Sequence, residues 1–189
     1  MTSETIADRY RRRAAAFTQT VAAVPEGAWA APSPCPEWDA RGVVAHVVQT
    51  QAMFAGLVGR ELEPGPSVEL DPLGAWVAAR EQTQAALDDP LLAEVEFDGV
   101  TGRTTFAAAT DRFLSFDLVV HRWDLARAAG LPDAISAEDV EALEVAIAEM
   151  SEQIGSAMRG PGAFGPELEP PDDADAQTRV LAFVGRRAW

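Results

Sequence analysis

The chain has 189 residues, 48% of them hydrophobic, and carries 30 acidic residues against 15 basic ones for a formal net charge of −15. That length fits one domain with a sizeable core, and the acidic balance argues against partners such as nucleic acid or an anionic membrane surface. A single cysteine, Cys35, excludes an intrachain disulfide; the first residues hold no apolar signal core, and no uncharged apolar run reaches membrane-spanning length, so a soluble cytoplasmic protein is expected.

Residues 4–24 predict a first helix, with Ile6, Tyr10, Phe17, Val21 and Val24 in one stripe. Arg11, Arg12 and Arg13 fall mostly off the stripe and read as a solvated face. Four prolines mark residues 25–38 as a connector. Asp39 then suits an N-cap for a second helix that ends near Gly59, with Val43, Thr50, Met53, Phe54 and Leu57 on its apolar face and His46 near the middle. His46 is either a core histidine with a hydrogen-bond partner or a ligand. A loop follows from Glu61 to Leu70. Asp71-Pro72 predicts the start of a third helix, which ends near Asp88-Asp89-Pro90. Val95 and Phe97 alternate with acids before Asp98-Gly99, the pattern of a short hairpin.

A long helix is expected from Phe106 to Gly130, capped by Thr104 or Thr105 and closed by Gly130 with Pro132. At about 100° per residue, Phe113, Asp117, Val120, His121, Asp124 and Ala128 share one arc, and only the side near Arg122, Ser115 and Val119 is left to meet water. Two carboxylates on a buried face are costly without a cationic partner. Ser136 to Asp139 resembles a capping box for a helix reaching about Ala157. The Gly-, Pro- and acid-rich run Arg159 to Asp175 predicts irregular chain, and Val180, Leu181 and Val184 a short last helix. The fold expectation is all-α: a single domain over residues 1–189, built as a four-helix bundle over about 4–158 with one long crossover between the third and fourth helices, a small β-hairpin, and a C-terminal loop and short helix over 159–189.

The chain has two histidines, His46 and His121. Asp117 stands four residues before His121, and side chains at that spacing are neighbours on a helix. Both can face one ion, and His46 can complete the set from another helix. Two imidazoles and a carboxylate form a familiar divalent-metal shell with an open fourth position. Zinc fits that donor set, as do nickel, iron and manganese. The competing reading is a buried polar network in which Asp117 or Asp124 pairs with Arg103, Arg112 or Arg127 and His121 bridges. Asp124, one turn after His121, can replace Asp117 or act behind a ligand to orient it. Cys35 precedes the second helix and reads as a packed thiol, with a nucleophile as the alternative. Trp38 and Trp123 read as core anchors.

The stretches PCPEWDARGVVAHVV, FDLVVHRWDLARAAG and RGPGAFGPE resemble actinobacterial metal-binding proteins of the DinB/YfiT-like superfamily. The closest group is the one related to the N-terminal domain of mycothiol-dependent maleylpyruvate isomerase. The resemblance spans about residues 5–187. It implies a DinB-like four-helix bundle whose divalent metal is held by His46 from the second helix and by Asp117 and His121 from a later one, with Asp124 supporting. The isomerase pattern has Glu where this chain has Asp117. The resemblance further implies that the metal holds the sulfur of a small thiol such as mycothiol, for S-transfer to an electrophile or for isomerisation. It also implies a homodimer. The isomerase carries an additional C-terminal domain where this sequence has a loop and short helix, so the metal and thiol chemistry is carried over rather than maleylpyruvate isomerisation. The alternative function is a non-catalytic metal-binding or stress-response bundle, whose metal is structural or sensing.

Overall fold

The structure is a computed structural model and describes residues 4–160 and 164–189. The predicted irregular run includes residues 161–163 and the single-domain expectation includes residues 1–3; these lie outside the described residues. Two units divide the chain, Met1–Asp133 and Ala134–Trp189.

In the first unit each major helix starts where a short polar side chain can serve the free N–H groups of the first turn. Thr5 caps α1 (Ile6–Ala23), Asp39 caps α2 (Ala40–Leu57) by accepting from Gly42 N–H at 2.7 Å, and Asp71 caps α3 (Pro72–Asp88) with Pro72 in the first turn. A single-turn helix α4 (Pro90–Ala93) leads into the expected hairpin, β1 (Glu96–Gly99) antiparallel to β2 (Gly102–Thr105). Glu96 pairs with Thr105 and Gly99 with Gly102, whose φ of 100° suits the tight reversal. Thr105 caps the next helical turn by accepting from Ala108 N–H.

The helix expected over Phe106 to Gly130 runs in three parts: α5 (Phe106–Ala109), a π turn (Thr110–Leu114) and α6 (Ser115–Ala129), closed by left-handed Gly130. In the π turn the Ser115 N–H bonds to the Thr110 carbonyl, five residues back. The reason lies in the phase of the core residues. In an uninterrupted α-helix, Leu118 and Leu125 would stand about 100–120° round from Phe106; one extra residue in a turn removes about 100°. All three are buried in one core. Ser115 and Val119, expected to meet water, are buried at 0% and 4% exposure. A helix apolar almost all round is covered on most of its sides, leaving Arg127 exposed and Asp117 partly so.

α1 and α2 each pack against both α3 and α6, which gives the four-helix bundle. The crossover from α3 to α6 carries the hairpin. Tyr10, Phe17, Val43, Val47, Trp76, Leu114, Leu118 and Leu125 fill the interior, each large side chain contributing about 1.5–3 kcal/mol through burial. Trp76 donates its indole N–H to Thr18 at 2.8 Å. Tyr10 donates to Gln51 Oε1 at 2.8 Å, and burial pushes the phenol well above its usual range. In the second unit, Ser136 caps α7 (Ala137–Ile154) and Asp175 caps α8 (Ala176–Phe183), which packs on α7. Arg159 donates to the carbonyls of Gly165 and Phe183 and stacks on the Phe183 ring.

Candidate metal centre

α2 and α6 lie side by side, so residues on their facing sides meet. His46 stands two turns into α2. Asp117 and His121 stand one turn apart on α6, after the π turn. The His46 Nε2 lies 3.2 Å from Asp117 Oδ2, and the His121 Nε2 lies 3.2 Å from Asp117 Oδ1. One ligand atom from each of the three residues can be chosen so that all lie within 4.8 Å of one another. Ligand atoms about 2.0–2.1 Å from a tetrahedral zinc stand about 3.3–3.5 Å apart; each imidazole lies at about that distance from one of the two Asp117 oxygens. Two nitrogens and a carboxylate also match the donor preference of first-row divalent ions, so the residues present fit such an ion.

Burial is uneven across the group. The His121 and Asp124 side chains are 4% and 0% exposed, whereas His46 and Asp117 keep 28% and 27%. The cluster therefore faces solvent on the His46–Asp117 side. Behind it, His121 Nδ1 donates to Asp124 Oδ2 at 2.9 Å. That bond fixes the ring and points Nε2 at Asp117.

Burial alone would lift the Asp117 carboxyl and depress the His121 imidazole. Their mutual attraction outweighs it, helped by His46 on the acid and by Asp124 on the imidazole. The Asp117 carboxyl is held well below the usual carboxylate range, and His121 is pushed up to about 9. Without a metal, these neighbours favour the imidazolium form of His121.

All four residues singled out from the sequence thus meet in one place. The arginines of the competing network are engaged elsewhere in part: Arg103 pairs with Glu96 and Asp98, and Arg127 with Asp133. Cys35 is buried in the loop before α2. One site residue has a second role. Trp38, expected as a core anchor, packs against the core and also stacks on the His46 ring with centroids 4.2 Å apart at 23°, and meets His121 edge-on at 5.5 Å. The signal was its position next to the Asp39 cap, from which a large ring can lie along the first two turns of the helix.

A four-helix bundle with a His-Asp-His group between two of its helices defines the class of protein. The family model described as the mycothiol maleylpyruvate isomerase N-terminal domain matches residues 10–126, from α1 into α6 and across every residue of the group. The chain belongs to that family. It is also similar to two uncharacterised proteins of Mycobacterium tuberculosis, one from strain ATCC 25618 / H37Rv and one from strain CDC 1551 / Oshkosh. Each is 27% identical over 188 residues, covering 94% of this chain and 95% of the relative. No solved structure gives a significant match.

Proposed function

We propose that the protein holds a divalent metal, zinc first among the options, at His46, Asp117 and His121, and uses it with a small thiol of the mycothiol type in S-transfer or isomerisation. Family membership supports the thiol, and the convergence of the three ligand atoms within 4.8 Å is the observation that carries the metal. A divalent cation held there supplies the positive charge that keeps a thiol ionised at neutral pH.

The chain's own residues do the rest. Asp124 accepts a hydrogen bond from His121 Nδ1–H, which keeps that proton on Nδ1 and leaves Nε2 as the ligating atom. Asp117 offers one oxygen to each imidazole and neutralises charge at the centre. The partial exposure of His46 and Asp117 leaves an approach for thiol and electrophile, as an open rather than a closed site requires. Among the described residues no fourth Cys, His, Asp or Glu joins the group; a structural or sensing metal would call for one. Among the described residues no helix is long and apolar enough to cross a membrane.

Elemental analysis of the purified protein, followed by thiol titration of the metal-loaded form, tests the reading. One equivalent of metal, lost in His46→Ala and His121→Ala and perturbed by mycothiol, is the expected result. Protein with intact histidines that takes up neither zinc nor nickel overturns it.

A further inference from the structure

The loop that delivers Trp38 is tied more tightly than a connector needs to be. The Ser33 hydroxyl lies 2.7 Å from the Trp38 carbonyl and 3.0 Å from the Cys35 carbonyl, and it accepts from Cys35 N–H at 3.1 Å. Ser33 N–H donates to the Trp38 carbonyl and Trp38 N–H to the Cys35 carbonyl, both at 3.1 Å, while Pro32 bridges Asp39. The helix makes room as well: a Cβ at Gly42 would meet the Trp38 Cβ at 2.9 Å. Loop and helix together hold the indole in one place, flat on His46 and edge-on to His121. Among the described residues, the side-chain partners of the His46 ring are Asp117 and Thr50, both at Nε2, and no buried carboxylate stands behind it like the one that fixes His121.

We propose that Trp38, held by the Ser33-centred loop and by the space at Gly42, is the positioning residue of the metal centre: it fixes the ring plane of His46 and shields both imidazoles from water on one side. The inference rests on the metal reading above and adds a residue to it. The physical basis is that a ring stacked on a half-exposed imidazole removes rotamers it would otherwise sample, so less freedom is lost when a metal binds. An electron-rich indole face also attracts an imidazole that has been made more positive by a bound cation.

Nickel(II) added to chelator-stripped full-length protein tests this, with affinity and tryptophan emission read together. In the wild type, one equivalent of nickel quenches part of the emission saturably. Trp38→Phe keeps a flat ring, so its affinity stays within about threefold while that part of the quench disappears. Trp38→Leu and Gly42→Ala each lower the affinity by about tenfold or more, as removal of an outer partner of a metal ligand does. Gly42→Ala leaves the indole in the chain and moves it, and it decides the matter where Trp38→Leu fails to fold. Wild-type uptake of nickel with Gly42→Ala within about twofold of it overturns this inference alone; a wild type that takes up no nickel overturns the metal reading and this inference with it.

Discussion

The two sides of the centre are built by different physics. On α6, His121 sits at 4% exposure between two carboxylates, each at hydrogen-bond or near hydrogen-bond distance. On α2, His46 is half-buried, touches one carboxylate, and is held by the face of an indole. The His121–Asp124 part of the α6 side is charged, dry and locked before any ligand arrives, while Asp117 on the same helix reaches toward solvent. The α2 side is wetter and held by shape. A centre with one locked and one adjustable wall can retain an ion on the first and admit a second molecule along the other.

Removing the locked wall should cost most. His121→Ala leaves Asp124 fully buried without its imidazole and Asp117 with half its partners, so metal-free protein should lose about 3–5 kcal/mol in urea unfolding. The same change at His46 should cost about 1 kcal/mol or less, because a half-exposed group is already partly hydrated, while metal uptake fails in both variants. Equal losses of stability would erase the distinction between the walls. Next in size is Asp124→Asn, which keeps the shape and removes the charge. A fall of about 10–100-fold in zinc affinity is expected by calorimetry, and unchanged affinity would demote Asp124 to a packing residue.

The pH dependence sharpens the same contrast. His121 has its pKa raised in the folded, metal-free chain, to about 9. Its contribution to stability is therefore complete below the ordinary imidazole value and is lost as pH rises through about 9. Asp117 is lowered, so its contribution is complete above the ordinary carboxylate value and is lost as pH falls through its depressed folded value. Thermal melts of chelated protein should show this component between mildly acidic and neutral pH. Metal binding must displace the His121 proton, so affinity should rise about tenfold per pH unit from neutral towards 9. A flat profile would mean that His121 binds no proton in the apo state. The smallest effect belongs to Thr50, on the α2 side. Its hydroxyl donates to the His46 carbonyl at 2.8 Å, a local bond that adds little to a helix, so Thr50→Val should change stability by no more than about 0.5 kcal/mol.

Much of this was readable before the structure because its causes are local. Asp39, Asp71-Pro72 and Ser136 mark helix starts through side chains that reach only a few residues along the chain, and Gly130 ends α6 through its own backbone freedom. The hairpin follows from alternation and a tight turn. Asp117 and His121 were readable as a pair from their spacing on one helix, and His46 joined them as the second of only two histidines. The stacking of Trp38 on His46 and the π turn were not readable in detail, and for different reasons. The indole's place depends on a missing Cβ at Gly42 and a hydroxyl at Ser33, contacts that no periodicity encodes. The π turn is chosen by distant packing, since only the shared core of Phe106, Leu118 and Leu125 demands the change of phase.

That turn has a consequence for how the chain can vary. A residue gained or lost inside a helix normally swings everything beyond it to the wrong side. Between Thr110 and Leu114 the helix already contains such a slip and absorbs it locally. The hairpin end and the ligand-bearing end are joined by something like an expansion joint, which lets each turn its own apolar side to the core they share. The slip buries Phe106 ahead of the turn while Asp117, His121 and Asp124 beyond it keep their bearing on α2.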